Sequence, residues 1–186
     1  MGMRIVFALL CSCLAACAAP ACRYTIEDAK TMTQDPAQLH AYFMDQIRCG
    51  QYGNAYEHCF SKTARESLGP YESSPFYFVI QFELVKRMIV GLEQHDVRVD
   101  EGARTATVRW CNREFGLSRE YRLVEERVGR TKKFWKYDFT RQQLEELKDA
   151  AFAWFRRQKE VADGRLYSYP PDWQYSPLGG ACTCKR

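Results

Sequence analysis

"VRVDEGARTATVRW", residues 97–110, marks a change in the hydrophobic period of the chain. Val97 and Val99 alternate with polar neighbours, Asp100-Glu101-Gly102 is a turn signal, and Ala106, Val108 and Trp110 alternate again. This pattern reads as an antiparallel hairpin. The chain before it has the helical period. Asp35-Pro36 sets an N-cap ahead of proline at the first helical position, Leu39, Phe43 and Ile47 recur every four residues, and Gly50 ends the helix. A shorter helix follows with Tyr52, Tyr56 and Phe60 on one face and Ala55 and Cys59 beside them. Ser74-Pro75 opens a third, expected to run to Gly91 behind a single apolar stripe of Phe78, Phe82, Val85, Ile89 and Leu92.

Beyond residue 110 the alternation continues. Tyr121–Val128 and Phe134–Phe139 flank "GRTK" (129–132) as a second hairpin. Trp135, Tyr137 and Phe139 share the face expected to meet the core, which turns Asp138 toward solvent. Arg98, Thr107 and Lys136 are expected to face water or a cavity. Thr140-Arg141-Gln142-Gln143 is a capping box. It starts a helix of about 22 residues, roughly 33 Å long, that ends by Gly164 and turns Leu144, Leu147, Ala151, Trp154 and Phe155 inward. Helices followed by consecutive antiparallel strands give an α+β fold: N-terminal helices packed on a curved antiparallel sheet, plus a long C-terminal helix. A tail over 165–186, rich in proline, aromatics and cysteine, has no periodicity. Its Tyr167, Tyr169, Trp173 and Tyr175 either pack back on the domain or stack on a sugar or an apolar partner surface.

The 186 residues suit one domain with appendages. A net charge of +4, from 27 cationic and 23 anionic residues, is too small and too dispersed for nucleic-acid binding. The densest basic run, Arg127–Lys133, falls in the expected hairpin turn, where it is solvated or touches anionic lipid or another partner.

The first residues carry one charge, Arg4, then an apolar run, Ile5–Leu14, too short to span a bilayer. Leu14-Ala15-Ala16-Cys17 resembles a bacterial lipobox. That resemblance implies cleavage before Cys17 and acylation there (a diacylglyceryl group on sulfur, often a further acyl chain on the new amino terminus). It implies an exported protein anchored in the cell envelope, and Ala18 points to the outer membrane where one is present. Residues 3–7 offer no Ser or Thr for N-myristoylation after Gly2. Ala19-Pro20-Ala21 is an alternative small-x-small cleavage site. The division is then signal peptide 1–16, tether 17–34, domain 35–140, helix 141–164 and tail 165–186.

Removing Cys11, Cys13 and Cys17 leaves six cysteines: Cys22, Cys49, Cys59, Cys111, Cys182 and Cys184. An even count in an exported chain suits disulfides, with 15 connectivities open. A Cys49–Cys59 bridge would tie two consecutive helices, and Cys182 or Cys184 would pin the tail through Cys22 or Cys111. Cys182-x-Cys184 with His40, His58 or His95 lacks the spacing of a metal site, so no metal and no cofactor are expected.

Two stretches resemble the nuclear-transport-factor-2-like superfamily, the cone-shaped cystatin-like fold. "LHAYFMDQIRCGQYGNAYEHCFSKTARE" (39–66) is similar to its first helix pair. "VRVDEGARTATVRW" (97–110) with "REYRLVEERVGRTKKFWKYDF" (119–139) is similar to its strands. The match covers roughly 36–140, and the helix after 140 departs from it, as a cap over the sheet or a homodimer contact. Enzymes of polyketide-cyclase or ketosteroid-isomerase type in this superfamily work inside the cone with an Asp and His or Tyr partners. Glu83, His95, Asp96 and Trp110 are the positions for such a cavity here, although neighbours His95 and Asp96 should point to opposite faces. His58 reads as a packing residue. No catalytic triad, phosphate loop or paired-carboxylate spacing is present. The expected role is therefore non-catalytic: binding a small ligand or an envelope protein, or scaffolding. The alternative is a small cone-cavity enzyme.

Overall fold

The computed structural model describes residues 21–128 and 131–163. The signal segment, Cys17, the tail with Cys182 and Cys184, and the expected helix end at Gly164 lie outside the described residues. The fold is α+β, as expected: seven α-helices among the described residues, then a four-stranded antiparallel sheet placed before the last of them. The elements are α1 (Ile26–Met32), α2 (Pro36–Arg48), α3 (Tyr52–Cys59), α4 (Lys62–Leu68), α5 (Pro75–Ile80), α6 (Glu83–Val90), β1 (Glu93–Asp100), β2 (Thr105–Asn112), β3 (Leu117–Val128), β4 (Lys132–Tyr137) and α7 (Arg141–Ala162).

The strands form a meander in the order β1-β2-β3-β4. Ala106 lies opposite Leu123, Val108 opposite Tyr121 and Leu123 opposite Tyr137. All of these are buried, together with Trp110, Trp135 and Phe139, so this is the core face of the sheet. α2 lies against that face. Asp35 caps it by accepting from Ala37 N and Gln38 N, and Gly50, at φ 80°, turns the chain out of it. Phe43 on α2 packs on Trp110, Tyr137 and Phe139, with ring centroids 5.4–6.3 Å apart.

The helices depart from the sequence-based expectation in four places. The stretch expected as a tether contains α1, opened by a capping box of Thr25 and Asp28. α4 was not anticipated; Ser61 caps it by accepting from Ala64 N. The third helix is two helices, because Phe82 is extended (φ −75°, ψ 114°) and breaks the chain between α5 and α6. The break re-aims both halves. Phe76, Val79 and Ile80 go inward from α5, and Val85, Met88 and Ile89 from α6, while Phe78 and Phe82 are 59 % and 43 % exposed. Lastly, Phe155 on α7 faces out, at 53 % exposure.

α7 begins at the expected capping box and buries Leu144, Leu147 and Ala151. It packs against α5, α6 and the β2–β3 turn. Trp154 packs on Phe115, ring centroids 4.5 Å apart and tilted by 32°, and donates its Nε1–H to the Glu114 carbonyl, 2.8 Å away. Among the described residues, no helix is long and apolar enough to cross a membrane.

Candidate functional site

A cone-cavity enzyme would need a polar, accessible space between α2 and the sheet. α2 brings His40 there, β2 brings Trp110, β3 Tyr121 and β4 Tyr137, all buried. His40 Nε2 lies 3.3 Å from the Leu92 carbonyl and Nδ1 lies 3.2 Å from the Tyr137 hydroxyl. A carbonyl only accepts, so Nε2 carries the hydrogen and Nδ1 accepts from Tyr137. That is the neutral imidazole. Burial lowers the His40 pKa from 6.5 to about 4, with the Leu92 carbonyl opposing the shift. Burial also holds the Tyr137 and Tyr121 phenols above their ordinary range.

The rest of this space is filled by rings. Phe60 meets Phe76 and Phe139 at 4.8 Å, Trp110 meets Tyr121 at 4.5 Å, and Tyr137 stacks on Phe139 at 5.2 Å. The His40–Tyr137 pair is therefore a satisfied polar contact within a packed core.

The four cavity positions named from sequence do not converge. Trp110 is fully buried on the core face. His95 pairs with Arg109 across the β1–β2 ladder and Gln94 with Trp110, so His95 and Trp110 lie on opposite faces. Asp96 stands in an irregularity between His95 and Arg98, with φ 51°. It pairs with Arg98, and the Arg98 guanidinium keeps its carboxyl below the usual range. Glu83 sits in the first turn of α6, 79 % exposed along its side chain and paired with Lys86. Lys136 is half-buried and donates to the His58 carbonyl, and burial lowers its pKa. Asp138 is also half-buried and accepts from Ser61 Oγ at 2.7 Å.

The Cys49–Cys59 bridge expected from sequence is not formed. Cys49 is bonded to Cys22, with Cα atoms 5.1 Å apart, and Cys59 is a free thiol in the core. The reason lies in the docking of residues 21–24. The Asp45 carboxylate accepts from Arg23 N (2.7 Å) and Tyr24 N (2.9 Å), which brings Cys22 onto the end of α2. Cys111 is also disulfide-bonded. Cys22, Asp45 and Cys49 place their sulfur and oxygen atoms within 4.8 Å of one another. They do not suit a metal: the disulfide occupies both sulfurs, and Asp45 also holds Arg48 at 2.6 Å.

One open groove of about 440 Å³ is lined by Tyr56, Glu57, Lys62, Arg65, Glu66, Gly69 and Pro70. No motif in the sequence points to it. Its charges are paired, Arg65 with Glu57 at 2.6 Å and Lys62 with Glu66 at 3.7 Å, and Tyr56 donates its hydroxyl to the Gly69 carbonyl. The arrangement offers a shallow neutral surface and no nucleophile–base pair.

No family model, characterised protein or solved structure matches the chain.

Proposed function

We propose that this chain is an exported lipoprotein, held in the cell envelope by lipid on Cys17, whose nuclear-transport-factor-2-like domain binds a ligand or partner at its surface or acts as a scaffold. The observation that carries the non-catalytic reading is the packed interior. Six rings (Phe43, Phe60, Phe76, Trp110, Tyr137 and Phe139) are each at most 3 % exposed and occupy the place where a cone enzyme would bind its substrate. The polar pair there, His40 and Tyr137, is neutral, and its remaining imidazole N–H is taken up by the Leu92 carbonyl.

Support for export comes from the Cys22–Cys49 disulfide, since such bonds persist in oxidising compartments. Support for the superfamily comes from the order of helices and meandering strands, with α2 laid across the inner face of the sheet. Two or more acyl chains would hold the protein at the bilayer stably, where one would not.

The deciding experiment is mass spectrometry of the mature amino-terminal peptide, with fractionation of membranes from soluble extract. The expected result is a peptide beginning at Cys17, heavier by its acyl groups, in the membrane fraction. An unmodified peptide beginning at Cys22, or an intact Met1 start, would overturn the proposal.

A further inference from the structure

Four residues at the end of α2, Asp45, Gln46, Arg48 and the C-cap Cys49, fasten the segment Ala21–Tyr24. Cys22 is bonded to Cys49. Asp45 accepts from the backbone N–H groups of Arg23 and Tyr24. Gln46 Nε2 donates to the Tyr24 carbonyl at 3.0 Å, and an Arg48 guanidinium N–H donates to the Ala21 carbonyl at 3.5 Å. Asp45 and Gln46 are only 6 % and 1 % exposed. Burying a carboxylate and a carboxamide is costly unless both find partners, and theirs are mainly this segment.

Only four residues separate Cys17 from Cys22. Five residue steps reach at most about 18 Å when fully extended. α2 alone has 13 residues and is about 20 Å long. A leash shorter than one helix of the body, ending in a fourfold clamp, does not let the body tumble.

We infer that the clamp is an orienting mount. On the lipoprotein reading, on which this rests, the pole formed by Arg48–Gly50 and the start of α3 faces the bilayer. Arg23, exposed and placed over the Tyr24 ring, lies on that pole and meets the phosphates of anionic lipid, with Arg48, paired with Asp45 but 45 % exposed along its side chain, beside it. The same mount turns the opposite pole, near the start of α2, away from the membrane.

The test uses the full-length lipidated protein in vesicles of phosphatidylethanolamine and phosphatidylglycerol doped with a headgroup-spin-labelled lipid. A fluorophore is attached through p-azidophenylalanine at position 51 or, separately, at position 37. Both positions are exposed, and Ala37 precedes Cys49 by 12 residues, about 18 Å along α2. Quenching should be at least about threefold stronger at 51 than at 37, given that separation. Inserting ten Gly/Ser residues between Pro20 and Ala21 leaves the clamp intact and should bring the ratio toward one. Equal quenching at the two positions in the lipidated protein, or a ratio indifferent to the insertion, overturns the mount. An unmodified Cys17 with no flotation on vesicles overturns the lipoprotein reading itself, and the intact mass of the same sample tells the two failures apart.

Discussion

His40 and Tyr137, 97 positions apart, meet at 3.2 Å in the centre of the molecule, where the imidazole accepts from the phenol. The folded protein keeps this histidine neutral down to about pH 4, while an unfolded chain protonates it near 6.5. Between those values the unfolded state binds the extra proton, so stability is full above about 6.5 and falls as the pH drops toward 4. The depression corresponds to about 3 kcal/mol over that window. His58, lowered by burial and by Lys136, adds to the loss with the same sign. The His40→Gln variant isolates the first contribution. Urea unfolding at pH 7, 6, 5 and 4 should show a slope shallower by close to one proton in this variant than in the wild type.

Two buried phenols, Tyr137 in this contact and Tyr42 on α2, should respond oppositely to loss of their hydroxyls. Tyr137→Phe removes the donor to His40 Nδ1 and leaves a buried acceptor without a partner, a loss of about 1–3 kcal/mol. Among the described residues the Tyr42 hydroxyl has no hydrogen-bond partner, so Tyr42→Phe removes a burden and should be neutral or stabilising. Chemical denaturation of the two variants at pH 7 checks both signs.

The contrast shows what a sequence displays and what it withholds. The alternation of Trp135, Tyr137 and Phe139 was enough to place the core face of β4, and Thr140 to Gln143 was enough to start α7. Helix and strand periods are local, and so are caps. The break at Phe82 is not legible, because Phe78 and Phe82 are as apolar as Phe76 and Val79, and what sets Phe76 inward is its packing on Phe43, Tyr56 and Phe60, residues of other helices and of the segment after α3. Asp45 and Gln46 read as ordinary polar helix residues. Their burial follows from a backbone segment 21 or 22 residues upstream, a relation no spacing displays. The Cys22–Cys49 pairing follows from that same docking, as does the failure of the Cys49–Cys59 bridge. The central His40–Tyr137 contact was missed for the same reason. Of the four candidate cavity residues, Glu83 is on an exposed turn of α6, Trp110 is core packing on β2, and His95 and Asp96 lie on β1, where His95 faces away from the core.

Cys59 should be chemically silent in the native protein. It is fully buried, and burial raises its thiol well above the usual range, so almost no thiolate is present or accessible. A maleimide should label it only as fast as the protein unfolds, with denaturant accelerating the reaction in step with the unfolded fraction. Rapid labelling under native conditions would contradict the packing described for α3.

The Cys22–Cys49 bridge closes a separation of 27 residues. Loop entropy alone gives about 3–4 kcal/mol for a bridge of this length. The Cys22→Ser/Cys49→Ser variant should lose that order of stability. Because Asp45 and Gln46 still hold Arg23 and Tyr24, the segment should stay docked in the native state. Hydrogen exchange at Arg23 and Tyr24 N–H, measured against the wild type, separates loss of the covalent closure from loss of the docked segment.

Gly91 ends α6 close to β2. A Cβ there would come within 2.8 Å of Asn112 Nδ2, which itself donates to the Met88 carbonyl while Asn112 Oδ1 accepts from Phe115 N. Asn112 is only 3 % exposed and has nowhere to retreat without surrendering those bonds. Gly91→Ala should therefore cost about 1–3 kcal/mol, even though its backbone suits any residue and alanine restrains the unfolded chain. Asn112→Ala removes the obstructing amide at its own cost. In that background a second change, Gly91→Ala, should be nearly neutral. A double-mutant cycle should then give a coupling of about 1 kcal/mol or more between the two positions, whereas additive effects would place the strain elsewhere.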